Sequence, residues 1–128
     1  MTALWGVTLD CPHPLRLAEF YQRIGGGEIA VRTTNFAELR IGGFALGFQR
    51  DPDHRAPTWP TGEVPQQCHV DFSTPDLDTA QADAIAAGAR LASYQPSPDV
   101  FRVLLDPAGH PFCLTTWGTP AGPAIALR

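Results

Sequence analysis

Residues 106–114, DPAGHPFCL, contain a predicted turn followed by a short strand, and they decide how the rest of the chain is interpreted. Asp, Pro and Gly109 together are typical of a tight turn, and the apolar run after them is typical of a buried strand. Side chains alternate between the faces of a strand, so Phe112 and Leu114 share one face and Cys113 lies on the other. The question is what Cys113 faces.

An internal repeat with an offset of 63 residues relates the two halves of the chain. Gly6 aligns with His69 and Gly25 aligns with Gly88. Identity between the halves is low, but each has a short strand, a Pro-bearing turn, a helix that ends at glycine, and three further strands. The sequence therefore predicts an α+β fold built from two βαβββ modules.

The apolar periodicity predicts one helix in each half. The first covers about residues 14–24, with Leu17, Phe20, Tyr21 and Ile24 on its buried face. The second covers about residues 75–87, with Thr74 as its N-cap and a stripe of smaller residues. The strands predicted after the helices are 28–33, 37–41 and 44–49 in the first half and 90–93, 102–105 and 111–116 in the second.

The predicted organisation is one domain, because 128 residues are too few for two independent cores. Within it we expect a first module over 1–49, a linker over 50–66, a second module over 67–117 and a tail over 118–128. Four prolines exclude regular structure from the linker. The linker also carries Trp59, which either packs on its own module or forms a flap over a pocket.

Composition excludes several classes of partner. The net charge of −4 and the lack of a Lys/Arg cluster along the chain argue against nucleic acid. No signal peptide and no apolar run of membrane-spanning length are recognisable, so no membrane partner is expected. Cys11, Cys68 and Cys113 lack the spacing of a metal motif, which favours a reduced, cytoplasmic protein.

Two modules, with HVDF at the start of the second and DPAGHPFCL at its end, resemble the vicinal oxygen chelate superfamily. That superfamily includes glyoxalase I, extradiol dioxygenases, fosfomycin-resistance proteins and bleomycin-binding proteins, and this chain is most similar to its glyoxalase-like members. His110 stands where the closing hairpin of the family has Asn. The resemblance implies that the modules pair into a curved mixed sheet forming a cup, within one chain or swapped between the chains of a homodimer.

The resemblance also implies metal-ligand positions on the first, fourth, fifth and eighth strands. They fall at Gly6, Gly47, His69 and Cys113, with Gln49 replacing Gly47 if the register slips. Glycine offers no side chain, so His69 is the one ordinary ligand, and Cys113 would favour zinc or a softer ion. We therefore expect no cofactor and disfavour metal-dependent catalysis, while a weakly held divalent metal at His69 and Cys113 stays open.

Strand alternation predicts which residues face the cup. Val7, Leu9, Leu46, Phe48, Val70 and Phe72 are assigned to the core. The polar residues assigned to the cup as ligand-binding candidates are Thr8, Asp10, Gln49, His69, Asp71, Cys113 and Thr115. Aromatic candidates for its mouth are Trp5, Trp59, Phe101 and Trp117, each with core or dimer packing as the alternative.

These candidates lead to three functional hypotheses. The first is a metal-free protein that sequesters or processes a small organic ligand such as an antibiotic. The second is an enzyme, with His69 as general base oriented by Asp71, or else a metal-dependent lyase or dioxygenase. Residues i and i+2 of a strand lie about 6.5–7 Å apart, so contact between His69 and Asp71 requires bent side chains. The third hypothesis is an interaction module without a small ligand.

Overall fold

The computed structural model describes residues 1–118. Its chain divides into two compact units, the first from Met1 to Arg55 and the second beginning at Ala56. Each unit contains one module. Most of the predicted tail, residues 119–128, lies outside the described residues. Within residues 1–118, neither helix has the length and apolar character needed to cross a membrane.

The first unit is a βαβββ module. Its elements are β1 (Gly6–Cys11), α1 (Pro14–Gly25), β2 (Glu28–Arg32), β3 (Phe36–Ile41) and β4 (Phe44–Arg50). The strand order is β1-β4-β3-β2. Strand β1 runs parallel to β4, while β3 runs antiparallel to both β4 and β2.

Large side chains of α1 form the core of the first unit. Leu17, Phe20 and Tyr21 are buried, as the periodicity predicts, and the Tyr21 ring stacks on Phe48 with centroids 5.7 Å apart. Gly26 ends the helix with a φ of 80°, which a residue with a side chain rarely adopts.

The assignment of Val7 to the buried core is wrong, although Val7 shares a strand face with Leu9. Val7 is 37% exposed, whereas Leu9, two residues on, is buried. Because β1 is an edge strand and α1 packs mainly over β3 and β4, the helix leaves the start of β1 uncovered. The assignments of Leu9, Leu46 and Phe48 to the core are confirmed.

The second unit repeats this topology. Its elements are β5 (Val70–Ser73), α2 (Leu77–Ala87), β6 (Arg90–Leu91), β7 (Phe101–Leu105) and β8 (Pro111–Thr115), with strand order β5-β8-β7-β6. Strand β5 runs parallel to β8, as β1 does to β4. The predicted α+β class with two βαβββ modules is confirmed.

The start of the second helix differs from the prediction. Helix α2 begins at Leu77, and its N-cap is Asp76 rather than Thr74. The Asp76 carboxylate accepts hydrogen bonds from the Thr79 backbone N–H at 3.1 Å and from the Thr79 hydroxyl at 2.8 Å. A carboxylate at this position is a strong cap, since it satisfies a free N–H and carries the charge that the helix N-terminus favours. These contacts also lower the pKa of Asp76.

The predicted strand 90–93 is shorter than expected, because a side chain replaces part of its ladder. Strand β6 covers only Arg90–Leu91. Beyond it, the Gln95 amide donates to the carbonyls of Ala92 and Val103 at 2.9 and 2.8 Å, and accepts from the Val103 N–H at 2.9 Å. The Ala92 N–H still donates to the Val103 carbonyl at 3.1 Å, so Gln95 replaces the direct bond between the Val103 N–H and the Ala92 carbonyl that a longer β6 would have made.

The segment DPAGHPFCL forms the predicted turn and strand. Asp106 is almost fully buried, and its Oδ1 atom accepts from the backbone N–H groups of Ala108 and His110 at 2.8 and 3.0 Å. Gly109 adopts a φ of 87° within this turn. The buried carboxylate therefore holds the turn that aligns β8 beside β7.

Candidate functional site

A cavity of about 540 Å³ opens on the sheet of the second unit. We call it the aromatic cavity, because Trp59, Phe101 and Trp117 all contribute to its wall. Its volume falls within the range of about 300–1,000 Å³ that is typical of small-ligand sites.

Two rows of side chains cross the sheet to form the floor of the aromatic cavity. Strand register places Asp71 beside Cys113 and Cys113 beside Val103, and all three contact the cavity. The next row contains Ser73, Thr115 and Phe101 in the same order of strands. Because side chains two apart on a strand share a face, both rows point to the same side.

A polar group lies at one end of the floor. The His69 Nε2 atom lies 3.3 Å from the Asp71 Oδ1 atom. One potential ligand atom from each of His69, Asp71 and Cys113 lies within 4.8 Å of the others. His69 immediately precedes β5 instead of lying within it, so its side chain is not held to the spacing of a regular strand. That position allows the contact with Asp71.

The Cys113 thiol is held in its protonated form. Burial raises its pKa to about 11, and the negative charge of Asp71 and a hydrogen bond to that carboxylate act in the same direction. A thiolate in this place would be poorly solvated and would face another anion. At neutral pH Cys113 is therefore a hydrogen-bond donor to Asp71, not a nucleophile.

The aromatic side chains are anchored in different ways. Trp59 and Phe101 pack against a buried cluster of Ala92, Val103 and Cys113, and the Trp59 ring lies 5.7 Å from that of Tyr94. Trp117 is 50% exposed and is held through its backbone. Its carbonyl accepts from the Ser73 hydroxyl at 2.6 Å, and its N–H donates to the Thr115 hydroxyl at 3.1 Å.

The remaining sequence candidates lie in the first unit, and none of them contacts the aromatic cavity. Thr8, Asp10 and Gln49 are exposed. Trp5 donates from Nε1 to the Glu38 carboxylate at 3.2 Å, and the Arg40 guanidinium carbon lies 5.2 Å from the centre of its ring. These contacts give Trp5 a local role on the first sheet.

Two of the implied ligand positions, Gly6 and Gly47, have no room for a side chain. A Cβ atom on Gly6 would collide with the carbonyl of Ala45. One on Gly47 would lie 2.6 Å from the Thr8 hydroxyl and 2.9 Å from the Phe36 ring. Register pairs Thr8 with Gly47 as it pairs Asp71 with Cys113, so the counterpart of Cys113 is Gly47 and not Gln49.

Six residues that contact the aromatic cavity were not among the sequence candidates: Gln66, Ser73, Pro96, Val103, Pro111 and Gly118. Ser73 shares a strand face with Asp71, so alternation could have identified it. Gln66 and Pro96 come from irregular segments, where no periodic signal exists. Gln66 is notable because its buried Oε1 atom has no hydrogen-bond partner among the described residues.

Two modules of βαβββ topology, with Cys113 on β8 and His69 directly before β5, the strand parallel to it, define a protein of the vicinal oxygen chelate superfamily. More narrowly, the chain belongs to the glyoxalase-like domain family, whose sequence profile matches residues 6–115. The predicted relationship is confirmed. A search of curated proteins finds no match.

Solved structures share the fold at low sequence identity. One is a mutant of the fosfomycin resistance protein FosX from Listeria monocytogenes with Mn(II) and 1S,2S-dihydroxypropylphosphonic acid, at 16% identity and a TM-score of 0.70, covering 94% of this chain and 93% of that one. A possible glyoxalase from Bacillus cereus has 16% identity and a TM-score of 0.67, with coverages of 90% and 99%. A glyoxalase/bleomycin resistance protein/dioxygenase family enzyme from Burkholderia phytofirmans has 21% identity and a TM-score of 0.65, with coverages of 88% and 97%.

Proposed function

We propose that this chain is a small-molecule-binding protein of the glyoxalase and bleomycin-resistance type, and that its ligand occupies the aromatic cavity. The observation that carries the proposal is the combination of apolar walls with a polar group at one end of the floor. Such a site buries the body of an organic ligand and orients it through a few hydrogen bonds.

The chemistry of the cavity favours a planar ligand with hydrogen-bond donors. Trp59, Phe101 and Trp117 offer flat faces, which suit stacking with a conjugated ring system. Asp71 is a carboxylate acceptor at the floor, and Gln66 has an unpaired acceptor beside the cavity. A donor that reached either group would satisfy it, and a cationic donor would gain most from Asp71.

The donor set in the cavity bears on whether a metal takes part. FosX was solved with Mn(II), a hard ion that prefers oxygen ligands, whereas His69, Asp71 and Cys113 fit zinc better. A metal must displace the thiol proton of Cys113. A pKa of about 11 instead of 9 makes this roughly 100-fold harder at neutral pH. We therefore propose a site that works without a resident metal, in which a soft ion binds only weakly.

A second candidate function is acid–base catalysis in the same cavity. The contact of 3.3 Å between His69 and Asp71 favours it, since a carboxylate can orient an imidazole and stabilise its charged form. In this scheme His69 takes a proton from the ligand, and Asp71 positions the ring.

We also propose that the chain forms a homodimer, as is common in the superfamily. Sedimentation equilibrium tests this proposal.

A fluorescence titration tests the binding proposal. Tryptophan emission is measured while planar organic compounds, including a cationic acridine dye, are added. We expect saturable quenching that is weakened about tenfold in Trp117→Ala, because Trp117 supplies a half-exposed wall. Trp5→Phe is the matched control, since it removes a tryptophan from the first unit without touching the cavity.

Mass spectrometry of the same mixtures separates a binder from an enzyme. An unchanged ligand after prolonged incubation supports binding alone. Product formation that is lost in His69→Gln and reduced in Asp71→Asn supports the acid–base alternative. Equal affinity of wild type and Trp117→Ala for every compound would contradict the aromatic cavity as the ligand site.

A further inference from the structure

A second cavity, of about 650 Å³, lies in the first unit and has a different chemistry. We call it the arginine cavity, because Arg16, Arg32 and Arg50 all contribute to it. Among the described residues that contact it, none is acidic. We propose that the arginine cavity binds a small molecule through a phosphate or phosphonate group. The inference concerns a site separate from the aromatic cavity and does not depend on the function proposed there.

Strand topology explains why three arginines that are distant in sequence line one cavity. Strands β1 and β4 are parallel, so Arg50 at the C-terminal end of β4 lies at the end of the sheet where β1 leads into α1. Strand β2 runs parallel to β4, with β3 between them, so its last residue, Arg32, lies at the same end of the sheet. Arg16 lies in the first turn of α1, directly after that β1–α1 turn.

The three guanidinium groups have no carboxylate partner. Within residues 1–118, none of them makes a hydrogen bond or ion pair through its side chain, whereas Arg40 pairs with Glu38 and Arg102 pairs with Asp78. Positive charges that converge on one concave place repel each other, and an anion between them removes that repulsion. Guanidinium forks also match the geometry of phosphate oxygens.

The neighbouring residues supply further donors. His13 is at the N-cap of α1 and makes no side-chain cap hydrogen bond, and the first turn contains no acidic residue. Thr34 brings a hydroxyl to the same cavity. These groups add to the arginines, which carry the argument.

The charge of the chain favours a small ligand over a polymer. The net charge is −4 although Arg16, Arg32 and Arg50 contribute three positive charges, so the remainder carries −7. A nucleic acid or an anionic membrane would meet that negative remainder at the same time as the arginines. A phosphate monoester fits within the concave site and avoids it.

Nuclear magnetic resonance of the full chain tests the proposal. Arginine Nε and backbone N–H signals are followed while phenyl phosphate is added to about 10 mM, with phenol as the uncharged control. We expect saturable shifts at Arg16, Arg32 and Arg50 with phenyl phosphate and with inorganic phosphate, and none with phenol. Shifts scattered over all nine arginines of the chain, or no saturation, would overturn the site.

Substitutions sharpen the test. Arg16→Gln and Arg50→Gln should each weaken phenyl phosphate binding about fivefold, because each removes a charged hydrogen-bond donor. Arg23→Gln is the matched control, since Arg23 lies in the last turn of the same helix. Equal weakening in Arg23→Gln would reduce the effect to net charge and overturn the proposal. So would binding of duplex DNA or phosphatidylserine vesicles when phenyl phosphate fails to bind.

Discussion

The two units share one topology but fill it with side chains of very different size. Tyr21 on α1 is fully buried, whereas its repeat mate 63 residues later is Ala84 on α2, which is also buried. The helix-facing side of the first sheet has the stacked rings of Tyr21 and Phe48. On the opposite face of the second sheet, the buried cluster of Ala92, Val103 and Cys113 borders the aromatic cavity. The repeated topology therefore sets strand order and register, while the volumes of the side chains on each face differ between the units.

Equivalent rows of side chains on the two sheets show the difference on the face that borders the aromatic cavity in the second unit. In the first unit the row is Thr8, Gly47 and Glu38, and in the second it is Asp71, Cys113 and Val103. The Phe36 ring and the Thr8 hydroxyl close over the glycine in the first row. In the second row a small thiol lies under open space. The first row is covered by neighbouring side chains, whereas the second row forms part of the floor of the candidate site.

Truncation of the large helix residue should have the largest effect on stability. Tyr21→Ala removes a fully buried ring that stacks on Phe48, and we expect a loss of about 4 kcal/mol in the free energy of unfolding. Ala84→Gly at the equivalent place in α2 should cost about 1 kcal/mol, from helix propensity. Urea denaturation measures both. Similar costs at the two positions would contradict the difference in packing.

Insertion of a side chain at an implied metal position should be the next largest effect. Gly6→His places a Cβ against the Ala45 carbonyl, so we expect a loss of about 3 kcal/mol and no gain in zinc affinity. The reverse exchange, His69→Gly, should change stability far less, since 43% of the His69 side chain is exposed. Thermal melting with and without zinc checks both variants. A zinc-dependent rise in the Tm of Gly6→His would show that the position can be restored.

The buried thiol should make stability fall at alkaline pH. The folded pKa of Cys113 is about 11 and the ordinary value is 9, so its contribution is complete below pH 9 and is lost as pH rises through 11. The loss amounts to roughly 2–3 kcal/mol. Comparing urea denaturation of wild type and Cys113→Ala between pH 8 and 11 isolates the contribution of this thiol. Parallel pH profiles would show that Cys113 ionises normally in the fold.

Removal of the neighbouring charge should have the smallest effect. Asp71→Asn eliminates a negative charge and a hydrogen-bond acceptor beside Cys113, so the thiol pKa should fall. It should remain above 9, because burial is the largest cause of the shift. Thiolate absorbance against pH measures it, with Cys113→Ala to subtract the other cysteines. An unchanged thiol pKa would show that Asp71 does not interact with Cys113.

Prediction from the sequence succeeded where the signal is local and periodic. The helix of the first unit and the hairpin between β3 and β4 follow from spacing and from Gly42-Gly43, whose φ values are 55° and 81°. The N-cap of α2 was misplaced because Thr74, Pro75 and Asp76 all occur where a helix can begin. Only the hydrogen bonds that Thr79 donates to the Asp76 carboxylate show which of the three is the N-cap.

The candidate site was predicted in part. Seven of the sequence candidates contact the aromatic cavity: Trp59, His69, Asp71, Phe101, Cys113, Thr115 and Trp117. Alternation placed Asp71, Cys113 and Thr115 on one face, because strand geometry repeats every two residues. Gln66 and Pro96 carry no such signal, since irregular segments have no period.

The amino-acid sequence by itself determined the order of the elements, the repeat and the loss of side chains at two implied ligand positions. These are properties of local pattern, which hydrophobic periodicity, proline and glycine specify directly. Tertiary structure alone decided that Gln95 extends the ladder of β7, that Trp59 packs on Val103 and that three arginines share one cavity. Such contacts join residues far apart in the chain, and only the strand register brings them within reach.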